Sequence, residues 1–182
     1  QGLGKTVQTI ALIMARRSHD PEIRTNLIVV PLSLLSQWED EIERFAIGQS
    51  VHIYHGSNKY KSKSKDELSK FDVVLTTHST LALEWPKSKK KKKKKDDEEE
   101  AEEEEEKKEP GLLFQFCFYR VIVDEAHVAR NPSSRISKAI SKLDAVFRWA
   151  LTGTPMINSL RDYYSLHRFL RNRPWREYGY YQ

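Results

Sequence analysis

The chain has 182 residues, enough for one domain with a sizeable core, and 31 basic against 26 acidic residues give a net charge of +5 with His neutral. Its single cysteine, Cys117, excludes an internal disulfide and a cysteine zinc cluster, and the six His lack ligand spacing. No apolar run reaches membrane-spanning length and the first residues do not read as a signal peptide, so the expectation is a soluble, intracellular protein with no membrane partner.

In chain order, the glycine-rich stretch GLGKT (2–6) opens a helix with apolar positions at Val7, Ile10, Ala11, Ile13 and Met14. NLIVVP (26–31) is a short apolar run closed by proline, which suits a buried parallel strand. SLLSQWEDEIERFA (33–46) places Leu35, Trp38, Ile42 and Phe45 at helical spacing, with either a Ser36/Glu39 capping box or Ser33 as its start. VHIYH (51–55) reads as a strand, and DVVLTTHSTL (72–81) as a strand running into a short helix. Residues 87–109 carry 10 Lys and 11 acidic residues without aromatic or branched side chains, leaving the rest of the chain at +6. Such a run buries too little surface to offset its ordering entropy, so it is expected to be a disordered insert dividing one lobe into 1–86 and 110–182. The lysine block is also compatible with a nuclear import signal or an acidic-partner contact.

Beyond the insert, Cys117 lies in the aromatic run FQFCFYR, where a buried structural thiol is expected. YRVIVDEAH (119–127) and FRWALTGTP (147–155) read as strands ending in polar loops. SSRISKAISKLDA (133–145) reads as a helix between them and LRDYYSLHRFL (160–170) as the last one, flanked by arginines on a face that is solvated or near a polyanionic partner. Strand and helix alternate throughout, which predicts a parallel sheet with helices on both faces. Ligands of such sheets bind at the carboxyl ends of the strands, where the polar motifs fall.

Those motifs carry recognisable chemistry. In GLGKT the glycines let backbone N–H groups approach phosphate oxygens, and the following helix aims its positive end at the anion. Gly2, Leu3, Gly4, Lys5 and Thr6 are the nucleotide-binding candidates: Lys5 for the β- and γ-phosphates, Thr6 for Mg²⁺. The pentapeptide alone is compatible with a plain glycine turn. VIVDEAH adds what a phosphate site with a metal needs: Asp124 toward the metal and Glu125 toward the attacking water. His127 is a candidate for coupling this site to a neighbouring segment, or a plain polar contact. LTGTP contributes Thr152 and Thr154 in a turn shaped by Gly153 and Pro155.

GLGKT, DEAH and LTGTP in this order resemble motifs I, II and III of the first RecA-like lobe of a superfamily-two, helicase-like ATPase of the Swi/Snf type. LIVVPLSLLSQWEDEIERF is similar to motif Ia and VVLTTHSTL to motif Ib. The stretch from YRVIVDEAH to LRNRPW is similar to the subgroup carrying a RING domain between its lobes, which includes the helicase-like transcription factor and fungal DNA-repair translocases. The resemblance spans the chain except the charged insert. It implies ATP and Mg²⁺ as ligands, hydrolysis coupled to movement along double-stranded DNA, possible engagement of nucleosomes, and a nuclear location. It also implies DNA contacts from the motif Ia and Ib segments, with Ser33, Ser36, Thr76 and Thr77 as hydroxyl donors that ordinary capping would equally explain. Thr152 and Thr154 would couple nucleotide state to DNA grip.

Only Gln1 precedes GLGKT in this sequence, and it does not contain a second lobe with arginine fingers. The expectation is therefore a piece of a DNA-dependent ATPase that is inactive by itself. The rival is a non-catalytic remnant that binds DNA or chromatin and hydrolyses nothing.

Overall fold

The computed structural model describes residues 3–56, 64–86, 109–155 and 161–181. Gly2 and the charged segment 87–108 lie outside the described residues, and so do the expectations attached to them.

Five strands form one all-parallel sheet: β1 (Asn26–Val30), β2 (Val51–Tyr54), β3 (Val73–Thr77), β4 (Cys117–Val123) and β5 (Asp144–Ala150), in the order β2-β3-β1-β4-β5. Strands from both sides of the charged segment share this sheet, because β1 pairs β3 on one side and β4 on the other. β1 is buried at every position, which is why it reads as an unbroken apolar run rather than an alternating one. Leu27 and Val29 point to one face, Ile28 and Val30 to the other.

Helices cover both faces. On one, α1 (Lys5–Ala15) and α2 (Leu35–Phe45) press Ile10, Ile13, Leu35, Trp38 and Ile42 onto the sheet. The other carries α4 (His78–Glu84), α5 (Arg135–Lys142) and α6 (Arg161–Leu170), which contribute Leu81, Ala139, Ile140, Leu166 and Phe169. A short α3 (Lys65–Leu68), capped by the Ser64 hydroxyl, precedes β3. The predicted RecA-like α/β arrangement is therefore the observed one.

Several local expectations need correction. Neither Ser33 nor Ser36 caps α2. A 3₁₀ turn at Leu32–Leu34 leads into it, closed by Leu34 N–H donating to the Pro31 carbonyl at 3.0 Å. The helix expected over 133–145 stops at Lys142, and β5 begins at Asp144 rather than Phe147. Leu143 turns extended and is fully buried, while the Arg148 guanidinium donates to the Leu143 and Ala145 carbonyls and fixes the junction. Cys117 is half-buried rather than enclosed, and burial followed by the neighbouring Asp144 carboxylate pushes its thiol pKa up. Arg168 does not sit on a solvated face: it donates to the Ser137 and Ser141 hydroxyls at 2.7 and 3.1 Å and ties α6 to α5.

The stems flanking the charged segment are pinned together. Gly111 N–H donates to the Glu84 carbonyl at 3.0 Å, and the Trp85 and Phe114 rings lie 5.0 Å apart. A Cβ at position 111 would fall 2.4 Å from the Glu84 carboxylate, so glycine allows this close approach.

Candidate nucleotide site

The carboxyl ends of β4, β1 and β5 gather the polar residues that the motifs single out. Gly4 caps α1 in a left-handed conformation, φ +66°, with open space around its α-carbon. Its carbonyl accepts from Gln8 N–H at 3.0 Å, while the Gln8 side-chain amide donates to the Leu3 carbonyl at 2.7 Å. Leu3 is 80% exposed. Lys5 and Thr6, the first two residues of α1, line an open cavity of about 450 Å³ together with Gln37, Glu41, Arg44 and Phe45.

Lys5 Nζ lies 3.7 Å from Glu125 Oε1, so the glycine loop and the DEAH turn meet through this pair. Both side chains are about a quarter to a third exposed (30% and 26%), and such a pair contributes roughly 0–1 kcal/mol. A phosphate arriving at Lys5 displaces it at little cost. Glu125 itself adopts a left-handed conformation, φ +46° and ψ +46°. For a non-glycine residue that conformation costs about 1–2 kcal/mol. The surrounding hydrogen bonds hold it: Glu125 N–H donates to Asp124 Oδ1 at 2.9 Å and Ala126 N–H to the Leu151 carbonyl at 2.9 Å.

Asp124 is the best-anchored member. It is 5% exposed, its N–H donates to the Val29 carbonyl at 2.8 Å, and its Oδ2 accepts the Trp38 indole N–H at 3.0 Å. Among the described residues it has no cationic side chain as partner. A buried carboxylate of this kind is a hard oxygen donor that suits Mg²⁺, and the Thr6 hydroxyl at the start of α1 is the second candidate donor. The residues therefore fit the metal, although no group of three metal-binding side chains is preassembled among the described residues.

His127 Nδ1 stands 3.1 Å from Glu125 Oε2 and 3.3 Å from Thr152 Oγ1, so the DEAH and LTGTP segments meet at this ring. Thr152 Oγ1 also accepts Thr154 N–H at 3.1 Å. Glu125, His127, Gly153 and Thr154 line a second open cavity of about 500 Å³.

The four hydroxyls assigned to DNA divide. Ser33 and Ser36 are exposed at the start of α2. Thr76 and Thr77 are fully buried, and of the two readings left open for them the structure favours the structural one: Thr76 donates to the Tyr54 carbonyl at 2.8 Å, while Thr77 caps α4 by accepting Thr80 N–H at 3.2 Å.

Two neighbours of Asp124 were not singled out in the sequence. Trp38 reads there only as a core position of an amphipathic helix; the clue was that a buried indole N–H requires an acceptor. His78, the first residue of α4, is 7% exposed, and its Nε2 has no hydrogen-bond partner among the described residues. Burial pushes its pKa down to about 4 despite the raising influence of Asp124, and His127 lowers it further.

Comparison with known proteins supplies the family. The model of the SNF2-related domain matches residues 1–182. The ATP-dependent helicase ULS1 of Saccharomyces cerevisiae is 36% identical over 188 residues, covering 96% of this chain and 12% of that protein. The DNA repair protein RAD5 of Candida glabrata is 33% identical over 214 residues, covering 100% and 18%. The chain thus spans less than a fifth of the length of these relatives. The SWI2/SNF2 ATPase core of Sulfolobus solfataricus, solved in complex with double-stranded DNA, superposes with a TM-score of 0.69 at 28% identity, covering 93% of this chain and 30% of that one. Among the described residues no helix is long and apolar enough to cross a membrane. With its parallel sheet, its Lys5–Glu125 pair and its buried Asp124 in place, the chain belongs to the SNF2-related domain family.

Proposed function

We propose that this chain is the first RecA-like lobe of a DNA-stimulated ATPase that moves along duplex DNA, free or in nucleosomes, in the nucleus. The observation that carries the reading is the convergence of Lys5, Glu125 and Asp124 at the carboxyl ends of the strands, with Lys5 and Glu125 3.7 Å apart. A remnant that merely bound DNA would have no use for a carboxylate held in a costly left-handed turn beside a phosphate-loop lysine.

In this reading ATP places its phosphates at the N-terminus of α1, where backbone N–H groups and Lys5 receive the negative charge. Thr6 and Asp124 would hold Mg²⁺, which would supply positive charge to offset that of the phosphates. Lys5 leaves Glu125 for the phosphates, freeing the Glu125 carboxylate to take the proton of the attacking water. His127 orients Glu125 through Oε2 and passes its position to Thr152. Ser33 and Ser36 contact the DNA backbone, and a second RecA-like lobe closes over the two open cavities. The DNA-repair relatives and the DNA-bound structural neighbour support the choice of partner.

The test is phosphate release by the full-length protein with Mg–ATP, with and without duplex DNA, beside Lys5→Ala. Stimulation by DNA that disappears in Lys5→Ala is expected. Turnover indifferent to Lys5→Ala would overturn the assignment, and salt-sensitive DNA binding without any turnover would favour the remnant.

A further inference from the structure

The core of the lobe contains one polar contact that links its two functional surfaces. Trp38 belongs to α2, whose first turn carries exposed Ser36 and whose lead-in carries exposed Ser33. Its ring is 2% exposed and packs with Ile10, Ile28 and Ile42. From there the indole N–H crosses to Asp124 Oδ2 at 3.0 Å, a contact between residues 86 positions apart. The other carboxylate oxygen accepts the Glu125 N–H at 2.9 Å. Both oxygens of Asp124 are thus held by donors of fixed direction, and the plane of the carboxylate is set before any ligand arrives.

We infer that Trp38 is a positioning residue: its indole N–H orients Asp124 for the metal and transmits displacement of the Ser33–Ser36 segment to the nucleotide site. The second half of this inference rests on the proposed function, since it takes DNA as the partner of Ser33 and Ser36. Packing alone does not explain the contact. An apolar ring would fill the same space, whereas a buried indole N–H directed at a carboxylate specifies the orientation of both groups. Rotating α2 about its axis, as a backbone contact at its first turn would do, moves the indole N–H and with it Oδ2. Partners of metal ligands at this remove typically alter metal affinity or activity about 10–100-fold when lost.

The cleanest perturbation keeps the shape and removes the donor. Benzothienylalanine at position 38, in the full-length protein, replaces N–H with sulfur; Trp38→Phe is the genetic counterpart. Binding of a fluorescent ADP analogue is measured in EDTA and across a Mg²⁺ titration, followed by turnover with and without duplex DNA. The expected result is unchanged binding in EDTA, a Mg²⁺ requirement raised roughly 10-fold for nucleotide binding and for basal turnover alike, and loss of most DNA stimulation even at saturating Mg²⁺. A Mg²⁺ titration and a DNA response identical to the wild type would overturn the inference. If Trp38→Phe folds poorly, the wild-type Trp38 indole N–H resonance still decides. It should shift on addition of Mg–ADP and on addition of duplex DNA alone, and indifference to both contradicts the role. A wild type that binds Mg–ADP but ignores DNA would sink the proposed function, while the Mg²⁺ arm judges Trp38 by itself.

Discussion

Leu3 and Gly4 lie on the outside of the sheet, held by two hydrogen bonds to Gln8, whereas Asp124 sits in the core with its backbone and both carboxylate oxygens engaged. The two flank the proposed nucleotide site, yet one is fixed by burial and the other by the local helix start alone. Buried hydrogen bonds in low dielectric hold direction well, while an exposed loop with an open glycine takes its shape from what binds it. The lysine of the loose half rests against the glutamate of the firm half through a weak pair. On the proposed function the site is therefore half prepared: the carboxylates assigned to hydrolysis are held in place, and the loop assigned to the phosphates takes its final shape with the ligand.

The largest effect is expected from the firm half. If Glu125 is the base, as proposed, Glu125→Gln retains its shape and removes its function, so turnover should fall about 10²–10⁴-fold with nucleotide binding preserved, as single-turnover and binding assays would report. Next comes His78, packed behind Asp124. Its pKa is about 4 in the fold against an ordinary 6.5, so the unfolded chain takes up this proton first as pH falls. Stability present above pH 6.5 is lost between pH 6.5 and 4, by up to about 3 kcal/mol. His78→Gln should flatten that part of the profile in urea melts, and a slope unchanged by the substitution would contradict the burial of a neutral imidazole.

The loose half should respond differently. Lys5→Ala removes a charged hydrogen-bond donor to phosphate, worth about 1.5–3 kcal/mol of binding, and should leave the melting temperature almost unchanged. Gly4→Ala meets no neighbour among the described residues, so in the free protein its cost is that of the left-handed backbone, about 1–2 kcal/mol, and nucleotide binding should weaken by at least that much. The smallest effect concerns neither half. The stems at Glu84 and Gly111 are already bonded, so deleting Lys89 to Lys108 should change stability by no more than about 1 kcal/mol and leave turnover intact.

Much of this was legible in the sequence because parallel strands covered on both faces read as apolar runs, and the motif residues sit where those runs end. Asp124 and Glu125 follow β4 directly, and Lys5 opens α1. What escaped was decided by tertiary contacts. Periodicity places Trp38 on the core face of α2 without telling where its N–H points. A hydroxyl at a strand end can face solvent or turn inward, and Thr76 and Thr77 turn inward to Tyr54 and α4. Arg168 reads as a surface charge until the Ser137 and Ser141 hydroxyls come beside it. The end of α5 was misplaced because Lys142, Leu143 and Asp144 have no glycine or proline to mark the stop; burial of Leu143 decides it.

Amide hydrogen exchange of the full-length protein, with and without Mg–ADP, tests the half-prepared site most directly. Residues 121–128 should be strongly protected in the free protein and change little on binding, while residues 3–8 should exchange fast and become protected only with nucleotide. Equal protection of both segments before binding, or a DEAH turn that orders only with nucleotide, would contradict the account.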